Sequence, residues 1–194
     1  MDERQPTVAV LAGINGAGKT TASLEILHNF LRIPIFVNAD AIARGLNAFD
    51  VESQAANAGR VMLEHLRQLA AERKSFAFET TLSGRAYANW LASLRMLGYD
   101  VQLFYFWLES VDVAVQRVAE RVSAGGHHIP EETIRRRYSL SVRNFFELYS
   151  PIADHWRVYD NTFKRSQLIA AGFEDREHVF EHERWDDFVR SAER

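Results

Sequence analysis

Cysteine is absent from the 194-residue chain. That excludes a disulfide framework and any thiolate metal site. Lysine is nearly absent: Lys19, Lys74 and Lys164 stand against 20 arginines. Genomic base composition produces such a bias, and it makes Lys19 conspicuous. Neither charge sign is in large excess; the net charge of −3 excludes a broad nucleic-acid footprint. No apolar stretch approaches the ~20 residues that a membrane-spanning helix needs. Val101 to Leu108 is apolar but short, and reads as a buried strand. The charged start, Met1-Asp2-Glu3-Arg4, runs straight into the first strand, so no signal peptide is expected. A cytoplasmic protein with neither nucleic acid nor membrane as a partner is therefore expected. Repeats, linkers and low-complexity tracts are also missing. With 47% apolar residues, residues 1–194 suit a single domain.

Short apolar runs alternate with helical patterns. Strands are expected at Thr7–Ala12, Ile35–Asn38, Ser75–Glu79, Val101–Leu108 and Trp156–Tyr159. Their runs are largely continuous, as in a parallel sheet covered on both faces. Helices are expected at Thr20–Leu31, Val51–Lys74, Arg85–Leu97, Val111–Ser123 and Glu131–Leu148. Val111, Val115, Val118 and Val122 form a core-facing stripe at helical spacing. The pattern predicts a doubly wound α/β fold, with a core over about residues 7–162 and a short C-terminal extension over 163–194. In that extension Gln167–Ala171 and His178–Glu181 are expected to pair as a hairpin around Gly172, followed by a helix over Asp186–Ala192.

The segment Gly13-Ile14-Asn15-Gly16-Ala17-Gly18-Lys19-Thr20 matches G-x-x-x-x-G-K-[ST] in full, between a strand and a helix. Gly13, Gly16 and Gly18 let backbone N–H groups turn towards phosphate oxygens, and the helix N-terminus adds partial positive charge. Lys19 is placed for the terminal phosphates and the Thr20 hydroxyl for Mg2+. Asn15, Ala17 and Thr21 complete the expected nucleotide contacts. A nucleoside triphosphate is thus the expected ligand, with Mg2+ at Thr20.

In a parallel sheet, ligands gather at the carboxyl ends of the strands. The second strand ends in Asn38-Ala39-Asp40 and the third in Glu79-Thr80-Thr81. Asp40 is either the base of a transfer reaction or the N-cap of a helix over Ala41–Arg44. Glu79 either polarises a metal-bound water, holds a substrate hydroxyl, or is an acid at the start of the next helix. Thr80, Thr81 and Ser83 offer hydroxyls to a polar substrate or serve only a turn; Arg85 follows them as a further substrate contact. Arg117 and Arg121 share one helix face, with Arg117 on the nucleotide side. A Gly125-Gly126 loop with His127 and His128 leads to a helix carrying Arg135, Arg136 and Arg137. Two helices with inward arginines around that hinge make a lid for phosphoryl transfer; the alternative is a solvated basic hairpin paired with Glu120, Glu131 and Glu132. His178 and His182 stand four apart but lack a His-Glu-x-x-His pattern.

Taken together, the Gly13–Thr20 loop, Asn38-Ala39-Asp40, Glu79-Thr80-Thr81-Leu82-Ser83 and the arginine lid resemble the zeta toxin family of P-loop kinases. The stretch from Arg121 through Gly125-Gly126-His127 and Ile129-Pro130-Glu131 to Arg136-Arg137-Tyr138 is similar to a zeta-toxin-like subgroup also described as predicted ABC-type ATPases. The resemblance implies a five-stranded parallel sheet in the order 2-3-1-4-5 and transfer of the γ-phosphate of ATP to a hydroxyl of a small molecule. In characterised toxins that molecule is a UDP-linked amino sugar. The resemblance places the catalytic aspartate on Asp40, the P-loop lysine on Lys19, and the substrate-side residues within Glu79 to Ser83. It places the lid arginines on Arg121 and one of Arg135, Arg136 or Arg137, with Arg137 favoured. An antitoxin protein is the implied partner. Two other readings compete. Leu82-Ser83-Gly84-Arg85 echoes an ABC-ATPase signature but lacks its second glycine. A nucleotide-dependent binding or regulatory module would use the same loop as a switch.

Overall fold

Continuous apolar runs form the centre of one sheet in the computed structural model, which describes residues 5–24, 26–27, 31–126, 128–163, 165–173 and 176–193. In chain order, β1 (Thr7–Ala12) leads through the glycine loop into α1 (Lys19–Leu24). β2 (Phe36–Val37), α2 (Ala39–Leu46), α3 (Ala55–Ala71), β3 (Phe76–Thr80), α4 (Ala86–Met96) and β4 (Asp100–Trp107) follow. Then come α5 (Val111–Ser123), α6 (Glu131–Asn144), a π turn at Phe145–Tyr149, a 3-10 turn at Ser150–Ile152 and β5 (His155–Asp160). The chain closes with β6 (Gln167–Phe173), β7 (Arg176–Val179) and α7 (His182–Ala192).

Strands β2-β3-β1-β4-β5 run parallel in that order, as the resemblance implies. The sheet is larger than five strands, because the hairpin β6-β7 adds to the β5 edge in antiparallel sense and makes seven. Along β1, Val8, Val10 and Ala12 enter one core, while Ala9 and Leu11 enter the other. Side chains alternate across a strand, so burial of both faces requires the unbroken apolar run seen in the sequence.

Several element limits differ from expectation for identifiable reasons. Of the helix expected over Thr20–Leu31, the regular part is Lys19–Leu24, and residues 25 and 28–30 lie outside the described residues. The helix expected from Val51 begins at Ala55. Ahead of it, the Asn47 carboxamide oxygen accepts from Phe49 N and Asp50 N, and Asp50 Oδ1 accepts from Ser53 N. These side-chain-to-backbone turns hold the segment out of the helix. The last long helix gives way at Phe145 to the π turn. His178 lies in β7 and His182 opens α7, so the two share no helix face.

The C-terminal segment belongs to the core. The Phe188 ring is fully buried and contacts the rings of Tyr105, Trp107, Phe145, Phe146 and Trp185. Trp185 stacks on Trp156 of β5 at 5.7 Å. Among the described residues, no helix is long and apolar enough to cross a membrane. If α7 closes the core, Phe188→Ala lowers unfolding free energy by about 3–5 kcal/mol. Met96→Ala, at a residue 87% exposed on α4, stays within about 0.5 kcal/mol of the unsubstituted chain. Urea unfolding followed by tryptophan fluorescence separates the two; equal midpoints would make α7 an appendage.

Candidate active site

The glycine loop is shaped by close packing from behind. Gly13 has φ +136°, and a Cβ there would collide with the Phe106 carbonyl of β4. Gly18, at φ +83°, abuts the Asn161 carboxamide in the same way. Only glycine combines these backbone angles with such close approach. The loop delivers Lys19 to a site where it is 6% exposed. Its Nζ donates to the Ile14 carbonyl at 2.9 Å and lies 3.4 Å from Glu79 Oε1. Burial pulls the Lys19 ammonium below its ordinary pKa, while the charges of Glu79 and Asp40 oppose that shift.

Glu79 joins three segments. Its Oε2 accepts from Thr20 Oγ1 at 2.8 Å and from Asn38 Nδ2 at 2.7 Å, and its Oε1 faces Lys19. One hydroxyl and one carboxylate side by side fit a hard cation such as Mg2+. That ion takes few protein ligands, keeps several waters and shares phosphate oxygens. Thr20 and Glu79 are the residues that would hold it.

The two readings of Asp40 separate in the structure. Asn38 caps α2, its Oδ1 accepting from Asp40 N at 2.8 Å and Ala41 N at 3.1 Å. The Asp40 side chain is not needed as a cap and lines a cavity of about 220 Å3 with Asn15, Lys19, Glu79, Thr80, Thr81 and Arg137. Val51 ahead of α3, Ala55, Gly59 and Met62 within it, and Tyr87 of α4 form the wall of that cavity. Arg137 enters it from α6 and donates to Asn15 Oδ1 at 2.8 Å. Burial and neighbouring Arg136 pull the Arg137 guanidinium below its usual pKa, and Asp40 opposes them. Asp40 is thus close enough to act electrostatically on both cations.

Other expected residues lie elsewhere. Ser83 Oγ shares a hydrogen bond with Thr81 Oγ1 at 2.8 Å and does not line the cavity. Arg85 is 74% exposed, 3.8 Å from Glu147, because the chain turns outward at Gly84 before α4. Arg135 also faces outward, bonded to Asp112 and Glu131. Arg121, half-buried in the last turn of α5, borders a separate concavity with Arg44, Phe49 and Gly125-Gly126. Thr21 is exposed in the first turn of α1. His127 lies outside the described residues, and His128 is exposed.

Arg117 contributes to the frame. Its guanidinium donates to the Asn161 carbonyl at 2.9 Å, the Thr162 carbonyl at 2.8 Å and, weakly, the Gly16 carbonyl at 3.5 Å. Asn161 Nδ2 in turn donates to the Ala17 carbonyl at 2.6 Å. Buried Asp160, 2% exposed, receives Arg184 of α7 at 2.6 Å. The segment after β5 therefore braces the glycine loop from below. Sequence reasoning places Asn38 at a strand end without giving it a role, and gives Asn161 none. The capping preference of Asn before a helix could have found the first; nothing local marks the second.

A family model described as Zeta toxin matches residues 1–169. A Haemophilus influenzae relative described as "Uncharacterized protein" is 29% identical over 128 residues, covering 65% of this chain and 88% of its own. The structure of AvrRxo1-ORF1:-ORF2 with ATP gives a TM-score of 0.75 at 15% identity, over 97% of this chain and 64% of that one. This chain thus spans less than two thirds of that neighbour's length. The Streptococcus pneumoniae PezAT toxin–antitoxin system gives a TM-score of 0.63 at 17% identity, over 100% of this chain and 88% of that one. At these identities the two structures speak for the fold, a P-loop kinase-type α/β sheet. The family match covers the glycine loop, Asp40, Glu79 and Arg137, and on it the chain belongs to the zeta toxin family.

Proposed function

We propose that the chain is an ATP- and Mg2+-dependent kinase that phosphorylates a hydroxyl of a small polar acceptor. Family membership and the fold support a nucleotide-dependent kinase. The observation that carries the finer reading is the placement of Asp40 and Arg137 on one cavity that opens against Lys19. The cavity is small beside the ~300–1,000 Å3 of common ligand pockets. That suits a compact hydroxyl-bearing group, such as the sugar of the UDP-linked amino sugar that the resemblance suggests.

In this reading the glycine-loop N–H groups and Lys19 hold the β- and γ-phosphates. Asp40 accepts the proton of the acceptor hydroxyl as its oxygen bonds to the γ-phosphorus and the bond to the ADP leaving oxygen breaks. Arg137 offsets charge spreading over the transferring group, while Arg121, at the end of α5, borders the neighbouring concavity and acts on Lys19 only through its charge. Mg2+, when bound beside Thr20 and Glu79, supplies further charge neutralisation on the phosphates. Thr80 and Thr81 orient the acceptor. A protein partner of antitoxin type belongs to the same reading, since AvrRxo1-ORF1:-ORF2 is a complex of two proteins and PezAT a toxin–antitoxin system.

Labelled ATP incubated with UDP-N-acetylglucosamine, nucleosides and polar metabolites tests the reaction class. Label on an acceptor supports the kinase, release to water alone indicates an ATPase, and tight binding without turnover indicates a binding module. Asp40→Asn is expected to slow transfer by about 10²–10⁴-fold while ATP affinity, read by calorimetry, stays within about twofold. Transfer at the unsubstituted rate would remove Asp40 as the base. Lys19→Ala is expected to weaken ATP binding, turnover or both by at least about tenfold; a variant unchanged in both would refute the phosphate-binding assignment.

A further inference from the structure

Arg137, Ser141 and Asn144 stand at i, i+4 and i+7 of α6, on one helix face. Each makes a bond to a different piece of the site. Arg137 reaches Asn15 of the glycine loop. Ser141, with no exposed surface, donates from Oγ to the Thr81 carbonyl at 2.6 Å. Asn144, 4% exposed, donates from Nδ2 to the Leu82 carbonyl at 2.7 Å. The π turn that follows shifts the helix register, and Tyr149 then donates from its hydroxyl to the Gly84 carbonyl at 2.7 Å. Three successive bonds thus fasten α6 and its π turn to the loop that carries Thr80 and Thr81 into the cavity.

The Ser141 hydroxyl has a single proton, and the Thr81 carbonyl takes it. The Tyr105 hydroxyl, 2.8 Å from Ser141 Oγ, must therefore be the donor in that contact. Burial raises the Tyr105 pKa, which keeps that donor protonated. The result is a directed chain from β4 through α6 to the loop. The loop needs such restraint: Leu82 is fully buried with φ +55°, a left-handed conformation that a leucine adopts only under strain. Hydrogen bonds to buried carbonyls are the means by which surroundings hold such a residue in place.

We propose that Ser141 and Asn144 are positioning residues, with Tyr149 as their third anchor. They lock the acceptor-side loop Thr81–Gly84 to the helix that carries Arg137, so that the acceptor hydroxyls and the phosphate-side arginine keep one fixed spacing. The proposal rests on the kinase reading for its consequence in catalysis, but the mechanical link stands apart from it. It also limits the lid. The face of α6 that carries Arg137, Ser141 and Asn144 is fastened both to the glycine loop and to the Thr81–Gly84 loop.

Amide hydrogen exchange of the full chain, read by mass spectrometry, tests the link without any acceptor. In Asn144→Ala, exchange over residues 80–86 and over the Arg137 turn is expected to rise together by about tenfold, the factor expected for one lost buried hydrogen bond. Exchange in β6 and α7 stays unchanged. Tyr149→Phe, nearly isosteric, is expected to accelerate residues 82–86 and serves where Asn144→Ala fails to fold. Unchanged exchange over 80–86 in a folded variant, or a rise spread equally over α7 and β6, overturns the proposal. With ATP and UDP-N-acetylglucosamine as probes, kcat is expected to fall about tenfold at constant ATP affinity. If the unsubstituted chain transfers no phosphate to that probe, the kinase reading loses support while the exchange result still decides the link.

Discussion

The contact on which the rest of the site depends is that of Lys19 with Glu79. An ammonium that is 6% exposed has left most of its water behind, and an unpaired buried charge costs several kcal/mol. Glu79, itself only 14% exposed, supplies the countercharge at 3.4 Å. The same carboxylate holds Thr20 and Asn38 through its other oxygen. The loop, the cap of α2 and the end of β3 are thereby fixed by a single acid. Deleting one partner of such a group leaves the others unsatisfied, so the three segments rely on one another.

Strand order makes this possible. β3 lies between β2 and β1, with Phe78 beside Val37 and Glu79 beside Leu11. A residue at the end of the middle strand reaches the continuations of both neighbours. Strand lengths near that edge place Asn38 one step past β2 and Thr20 in the first turn of α1, both within hydrogen-bond range of one carboxylate. A sheet with β2 next to β1 would bring Asp40 and Lys19 together but leave Glu79 outside. The order thus decides which acid meets the lysine and which stands apart from it on the cavity wall.

Local patterns and long-range contacts differ in how far the sequence reveals them. The glycine loop is legible because its chemistry lies in eight consecutive residues. The parallel strands are legible because burial on both faces demands unbroken apolar runs. Asp40 and Glu79 follow once the strand ends are located. Arg85 misleads because nearness in sequence to Thr81 does not survive the outward turn at Gly84. Ser141 and Asn144 look like the solvated side of an amphipathic helix; only their distance from the carbonyls of residues 81 and 82, some 60 positions earlier, shows them buried and bonded. Phe188 and Trp185 recur at helical spacing in a charged C-terminal stretch, which marks an amphipathic helix but not the rings it packs against, so their place in the core is not visible before the fold is known.

The same division separates the frame from the reacting groups. Behind the glycine loop, Arg117, Asn161 and the Arg184–Asp160 pair bind backbone and buried acid, and none of them lines the cavity. In front, Lys19, Asp40, Glu79 and Arg137 line it, and two of these are cations whose burial disfavours their charge. A site that keeps cations against a desolvation cost is arranged for an anion, because a bound polyphosphate returns the electrostatic stabilisation that burial removed. Asp40 opposes the shift of both cations from the same cavity wall. In the proposed kinase it stands where an acceptor hydroxyl would meet the phosphate, and the frame behind the loop would keep that meeting point in place.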